Sequence, residues 1–142
     1  MPDVATPLQL VDELAKEKIG VIINPPRSYP GTWDTQRIIA GPPLTEHTLA
    51  SLLTSKGVVV GLGHGTNDVV RQARFDALWN YSAVPSTFSP ASAIALVSSN
   101  LYKLLGVKAK PGLGGFIAVE GDALNMGSRV VGALDNGRVE LF

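Results

Sequence analysis

The chain has 142 residues, and its 12 basic and 12 acidic side chains give a formal net charge of zero. This length is enough for one domain with its own core, and the balanced charge excludes a non-specific nucleic-acid binder, which needs a basic surplus. Cysteine is absent, which excludes disulfides, thiolate zinc sites and a cysteine nucleophile, and there are two histidines, His47 and His64.

The first part of the chain predicts helices alternating with short aliphatic strands. Thr6-Pro7 predicts the start of a helix. Ile19–Ile23 shows no polar alternation, which is typical of a strand buried on both faces. Thr45 and Gly57 predict the start and end of a second helix, and Val58–Leu62 predicts a second strand. This order favours a parallel α/β architecture.

Residues 24–43 lie between the first strand and the second helix and contain five prolines without a regular period. A loop of about 20 residues is uncommon in a compact domain and often forms a lid or a binding loop. We therefore predict Arg27, Trp33 and Arg37 as contacts for a small-molecule substrate.

The second strand ends in the glycine-rich segment 61–65, which suits either a tight turn or a phosphate site. Its spacing is not that of the dinucleotide-binding fingerprint. Because ligands bind at the carboxyl ends of parallel strands, we predict His64 and Asp68 as catalytic residues. His47 lies in the first turn of a predicted helix and is interpreted as a surface residue.

The remaining elements are a helix from about Asp68 to Tyr81, a long helix from Ala91 to Leu105, and a β segment. The first of these helices carries charged residues that we interpret as solvated ion pairs, namely Arg71, Arg74 and Asp76. The second carries polar residues that we expect to hydrogen-bond back to their own helix, namely Ser98, Ser99 and Asn100. Three short strands are predicted, Phe116–Val119, Arg129–Leu134 and Arg138–Leu141, the last two joined by an Asp-Asn-Gly hairpin turn. Residues 1–108 are thus predicted as an α/β segment and residues 109–142 as a small antiparallel β piece.

The stretch from Ala93 to Val107 resembles a helix of the metal-dependent amidohydrolase superfamily that reads A-L-x-x-x-T-x-N-x-A-x-x-L-G. Gly121-Asp122-Ala123-Leu124 resembles the G-D-P-L motif that follows in that family, and Val131–Val139 resembles its V-x-x-x-G-x-x-V ending. Residues 24–44 and 71–76 resemble an imidazolonepropionase-like branch.

This resemblance implies a (β/α)₈ barrel with a small β-sandwich, of which the chain matches only the last part. The fold class is then a partial (β/α) barrel segment of parallel strands and helices, followed by sandwich-like antiparallel strands. The family's His-x-His pair, its bridging lysine or carboxylate and its two mid-barrel histidines are absent. Its last metal-ligating aspartate aligns with Gly63-His64-Gly65, where His64 is an imperfect substitute and Asp68 lies further along.

Three functions stay open. The resemblance implies hydrolysis of a C–N or C–O bond by metal-activated water, with a zinc-like divalent metal only if another segment supplies the missing ligands. The second is a non-catalytic binding or assembly module derived from that fold. The third is a metal-free oligomeric enzyme that uses His64 as an acid or base.

Two parallel strands with helices on one side cannot bury both sheet faces, and open edges invite pairing with another chain. We therefore expect a homo-oligomer or a complementing chain that completes the partial barrel. No apolar run approaches the ~20 residues of a membrane span, and the N-terminus lacks the features of a signal peptide. We expect a cytoplasmic protein with no membrane partner.

Overall fold

A computed structural model describes residues 10–27, 39–66, 70–108, 115–135 and 137–142. The elements in chain order are α1 (Val11–Lys16), β1 (Val21–Ile23), α2 (Leu49–Ser55), β2 (Val60–Leu62), a 3₁₀ turn (Val70–Gln72), α3 (Ala73–Ala83), α4 (Pro90–Ala95), α5 (Ser99–Leu104), β3 (Phe116–Glu120), β4 (Arg129–Asp135) and β5 (Arg138–Leu141). They form a parallel pair of strands with packed helices and a separate antiparallel sheet of three strands. The predicted helix start at Thr6-Pro7 lies outside the described residues.

Strands β1 and β2 are parallel neighbours, with Val21 opposite Val60 and Ile23 opposite Leu62. All of β2 is buried, but Ile22 in the middle of β1 is 40% exposed. The prediction that the first strand is buried on both faces is therefore wrong. Among the described residues β1 has a strand neighbour on one side only, so one of its faces and its outer edge are less covered.

The backbone edge of β2 that points away from β1 is hydrogen-bonded to the segment that holds α4 and α5. The Leu62 N–H donates to the Leu96 carbonyl at 2.8 Å, and the Asn100 side-chain amide donates to the Val60 carbonyl at 2.7 Å. Asn100 thus bonds to the strand rather than to its own helix, whereas the Ser98 hydroxyl does bond back, to the Ile94 carbonyl at 2.8 Å.

These contacts divide the predicted helix Ala91–Leu105 into α4 and α5. Between them the chain turns, and Ser98 has φ −139° and ψ −99°, far from helical values. The break frees the Leu96 carbonyl from the helical ladder so that it can accept from the strand. Gly106, with φ +65°, follows the end of α5 as predicted.

Helix α2 begins later than the sequence indicated. Thr48, not Thr45, is its N-cap: the Thr48 hydroxyl accepts from the Ser51 N–H, and the Ser51 hydroxyl accepts from the Thr48 N–H. This reciprocal arrangement satisfies two backbone donors at the helix start. The Thr45 hydroxyl instead accepts from the Gly41 N–H at 2.8 Å in the preceding turn.

The α3 region starts with the 3₁₀ turn, and the α-helix itself begins at Ala73. Val70 is 53% exposed, whereas Ala77 is fully buried. Helix α3 therefore packs through a face centred near Ala77, and that face also carries Asp76 and Asn80.

One hydrophobic cluster joins the strands and helices. Its least exposed large members come from α2, β2 and the α4–α5 turn, namely Leu53, Val60, Leu62 and Leu96. Leu124, from the turn between β3 and β4, is 4% exposed and belongs to the same cluster. The segment 122–128 is therefore docked on the core even though the strands on either side of it are mostly exposed.

The C-terminal sheet has the strand order β3-β4-β5 and is antiparallel throughout. All three predicted strands are confirmed within a residue of their expected bounds. Arg74 of α3 ties the sheet to the helices: it donates to the carbonyls of Ala123, Asn125 and Ser128 and to the Ser128 hydroxyl. The prediction that Arg74 is a solvated ion-pair member is therefore wrong.

A parallel strand pair with helices is common to many α/β folds, so the partial barrel remains a proposal. The expected boundary near residue 108 is followed directly by residues 109–114, which lie outside the described part. In the part of the chain that is described, no helix is both long enough and apolar enough to cross a membrane.

Candidate functional site at the ends of the parallel strands

The carboxyl ends of β1 and β2 meet at one edge of the parallel pair. The Gly63 N–H donates to the Ile23 carbonyl at 2.8 Å, which extends the ladder by one bond. A Cβ on Gly63 would lie 3.0 Å from Ile22 Cγ2 and 3.3 Å from Asn24 Cβ, so a side chain here would push against the neighbouring chain. These contacts support the interpretation of the glycine-rich segment as a tight turn.

His64 follows this turn and faces Asp76 near the start of α3. The His64 Nε2 and Asp76 Oδ2 atoms are 2.8 Å apart, and the two side chains are 5% and 3% exposed. An ionised carboxylate only accepts hydrogen bonds, so the Nε2–H of His64 donates the hydrogen bond and Asp76 Oδ2 accepts it. In a neutral imidazole this leaves Nδ1 as the acceptor nitrogen.

Arg27 approaches the same carboxylate from the segment after β1. Its Nε lies 2.6 Å from Asp76 Oδ1, and its side chain is 42% exposed. The contact is a close approach of opposite charges without hydrogen-bond alignment, since Oδ1 accepts no hydrogen bond from the described residues. One buried carboxylate thus lies between a histidine and a partly exposed guanidinium.

The three groups are electrically complementary. With a neutral His64, the charges of Arg27 and Asp76 cancel, and a proton on His64 would give the cluster a net charge of +1. Removing one partner of a buried charged pair is costly because the other charge stays desolvated. This arrangement holds the imidazole of His64 in one orientation, as the positioning of an acid–base group requires.

A second layer of polar side chains fixes Asp76. The Asn80 amide donates to the Asp76 backbone carbonyl at 2.9 Å, and the Thr48 hydroxyl donates to Asn80 Oδ1 at 2.8 Å. Thr48, Ser51 and Asn80 are each at most 1% exposed. Helix α3 is therefore tied to the N-terminus of α2, which limits movement of the carboxylate relative to β2.

The structure brings two of the predicted site residues, His64 and Arg27, onto a common partner. Trp33, Arg37 and Asp68 lie outside the described residues. His47 is half-buried, and its Nδ1 lies 3.3 Å from the Ser51 hydroxyl, beside the α2 cap.

Asp76 is the site residue that the sequence interpretation missed, since it was assigned to a solvated ion pair and is 2% exposed. A signal was present in the helical spacing. Asp76 and Asn80 are four residues apart and share, with Ala77, the side of α3 that is buried. Two polar residues on a buried side indicate groups that are paired inside the protein.

The described residues do not fit a metal centre. They include no group of three or more histidine and carboxylate side chains that could hold a metal ion. His64 Nε2 already faces Asp76, and the other oxygen of Asp76 faces a guanidinium, whose positive charge would repel a cation. A metal ion in the functional unit would need ligands from other parts of the chain or from another chain.

Comparison with known proteins gives one informative similarity. The chain is 34% identical over 99 residues to a protein described as amidohydrolase tasK from Hapsidospora irregularis. No protein-family model matches the chain, and no solved structure matches it significantly.

The matched residues are 70% of this chain but 10% of the fungal protein. The chain therefore spans about a tenth of the length of the curated relative that it matches. At this coarse level the similarity supports an amidohydrolase-like relationship.

Proposed function

We propose that the chain is one section of an amidohydrolase-like hydrolase, in which His64 transfers a proton during cleavage of a C–N or C–O bond in a small molecule. The similarity to an amidohydrolase supports the reaction class. The observation that carries the role of His64 is its 2.8 Å contact with buried Asp76 at the ends of two parallel strands.

In this proposal Asp76 is a positioning residue. It holds Nε2 of His64, which leaves Nδ1 to take a proton from water or to give one to the leaving group. Arg27 contacts Asp76 through Nε, and the partial exposure of its side chain would let its terminal nitrogens bind a substrate carbonyl or carboxylate. Remaining pocket walls would come from another segment, a second copy or a complementing chain.

The test is turnover by the purified chain across amide, ester and lactone panels. General acid–base catalysis contributes about 10²–10⁴-fold, so His64→Gln is expected to lower kcat by at least about 100-fold. His47→Gln is the matched control, since it removes the other histidine beside a helix cap, and it should leave kcat unchanged. Turnover that His64→Gln leaves intact would contradict the proposal.

Metal removal separates two versions of the reaction. If His64 acts without a metal, dialysis against a chelator leaves kcat unchanged. If another part of the functional unit supplies metal ligands, chelation abolishes turnover and zinc restores it. Metal content measured beside activity decides between them, because the residues that the structure describes hold no ligand set of their own.

A non-catalytic assembly module is the second candidate, and the exposed C-terminal sheet favours it. Phe116, Val139 and Leu141 are 60%, 68% and 82% exposed, an apolar surface suited to a partner. Under this function, His64→Gln would leave every activity of the chain intact, whereas changes in the sheet would abolish partner binding.

A further inference from the structure

Strand β5 (Arg138–Leu141) is an edge strand, and all of its residues are exposed. Among the described residues no strand pairs with its outer side. Edge strands present unpaired N–H and C=O groups that can bind another strand. The question is which strand fits this edge.

The hairpin fixes which backbone groups point outward. The Phe142 N–H donates to the Val131 carbonyl at 3.0 Å, and Arg138 lies opposite Asp135 across the two-residue turn. In an antiparallel pair, residues alternate between facing the partner and facing away. Arg138 and Glu140 therefore direct their backbone groups toward β4, and Val139 directs its N–H and C=O to the open edge.

The charges of β5 are complementary to those of a second β5 running in the opposite direction. With Val139 opposite the second copy's Val139, each Arg138 lies opposite a Glu140, giving two ion pairs about the two-fold axis. Moving the two-fold centre of the strand pairing to Arg138 or to Glu140 puts two arginines or two glutamates opposite each other. It also places at the centre a residue whose backbone groups point toward β4. Like charges directly opposite destabilise strand pairing.

We propose that this chain forms a two-fold symmetric homodimer by antiparallel pairing of β5 with β5 of a second copy, centred on Val139. The Val139 N–H of each copy donates to the Val139 carbonyl of the other. The two Val139 side chains, each 68% exposed in the single chain, then cover one another across the new strand pair. Two three-stranded sheets become one continuous sheet of six strands.

This inference is independent of the proposed hydrolase activity. The β5 edge belongs to the antiparallel sheet, whereas His64 and Asp76 lie at the ends of the parallel pair. A failure of the dimer therefore does not bear on the acid–base role, and a failure of turnover does not bear on the dimer.

Charge reversal tests the register. Glu140→Arg alone, or Arg138→Glu alone, places two like-charged pairs across the interface and should weaken dimerisation by about tenfold or more. An equimolar mixture of the two variant chains restores opposite charges at both positions, so the mixture should form heterodimers about as tightly as the wild-type chain forms homodimers. Glu140→Arg is the cleaner variant, because Glu140 lies opposite the uncharged Ala133 within the hairpin.

Sedimentation velocity from low to high micromolar concentration measures the association, with the 14.9 kDa chain as the monomer reference. Val139→Pro removes an outward N–H without removing a hydrogen bond of the hairpin and should abolish the dimer. Arg129→Glu is the matched control for Arg138→Glu: it makes the same charge change on the same sheet, away from β5, and should leave association unchanged.

Circular dichroism of every variant shows whether it is folded, and if Val139→Pro fails to fold, the two charge variants and their mixture carry the test. A wild-type chain that stays monomeric throughout the concentration series overturns the proposal. The proposal is also overturned if neither Glu140→Arg nor Val139→Pro weakens association, or if the mixture of the two charge variants does not restore it.

Discussion

Strands β2 and β5 are both short and each contains one valine and one leucine, yet every residue of β2 is buried and every residue of β5 is exposed. The difference lies in their neighbours. Strand β2 has β1 on one side, the α4–α5 segment on the other, and Leu53 in the same core cluster. Among the strands that the structure describes, β5 has β4 as its one neighbour. Covering elements, rather than aliphatic composition, decide which strand enters the core.

The largest expected effect is on the free energy of unfolding, and it tests this contrast at the last residue of each strand. Leu62 is 1% exposed and Leu141 is 82% exposed. Leu62→Ala should lower the free energy of unfolding by about 2–5 kcal/mol, because it removes buried contacts and leaves a cavity. Leu141→Ala should change it by less than about 0.5 kcal/mol, and urea unfolding of the two variants at low protein concentration measures both.

The next largest effect concerns the buried polar contact between Thr48 at the start of α2 and Asn80 of α3. Thr48→Ala removes a helix cap and the hydroxyl that bonds to buried Asn80, so we expect a loss of about 1–3 kcal/mol. Thr45→Ala is the matched change at the threonine that the sequence favoured as the helix start, and it removes two turn contacts, to the Gly41 N–H and the His47 carbonyl, but no helix cap. Equal losses for the two variants in thermal unfolding would refute the assignment of Thr48 as the cap.

Arg74 connects the two regions, and its replacement sharpens the comparison. Arg74→Met keeps much of the side-chain volume but loses four hydrogen bonds to Ala123, Asn125 and Ser128, for an expected loss of about 1–2 kcal/mol. Limited proteolysis should then cleave the C-terminal segment faster than in the wild-type chain. Arg71→Met, on the exposed 3₁₀ turn, should leave the cleavage rate unaltered.

The smallest effect lies on the exposed sheet itself. Arg129 Nε donates to Glu120 Oε2 at 2.7 Å, with both side chains more than half exposed. Exposed ion pairs contribute about 0–1 kcal/mol, so Glu120→Gln should shift stability by less than 1 kcal/mol and less still in high salt. A larger shift in a denaturant titration would mean that this sheet is covered in solution.

Elements that depend on neighbouring residues could be predicted from the sequence, whereas features that depend on contacts between distant residues could not. The C-terminal strands were placed correctly because hairpin turns and period-two patterns are local. The break at Leu96–Ser98 was missed because it depends on Leu62 N–H, which is distant in sequence. Similarly, His64 was found from its position after a strand, whereas Asp76 was misjudged because its burial depends on contacts made across the fold.

The bonds from Leu96 and Asn100 to β2 have a consequence for how the parallel pair can be extended. They occupy the Leu62 N–H and the Val60 carbonyl, the backbone groups that a third strand beside β2 would need. Growth of this sheet is therefore directional: an incoming strand adds next to Ile22 of β1. A complementing chain that completes the proposed barrel must add its first strand on that side. To close the ring on the other side, it must displace both the Leu96 carbonyl and the Asn100 amide from β2.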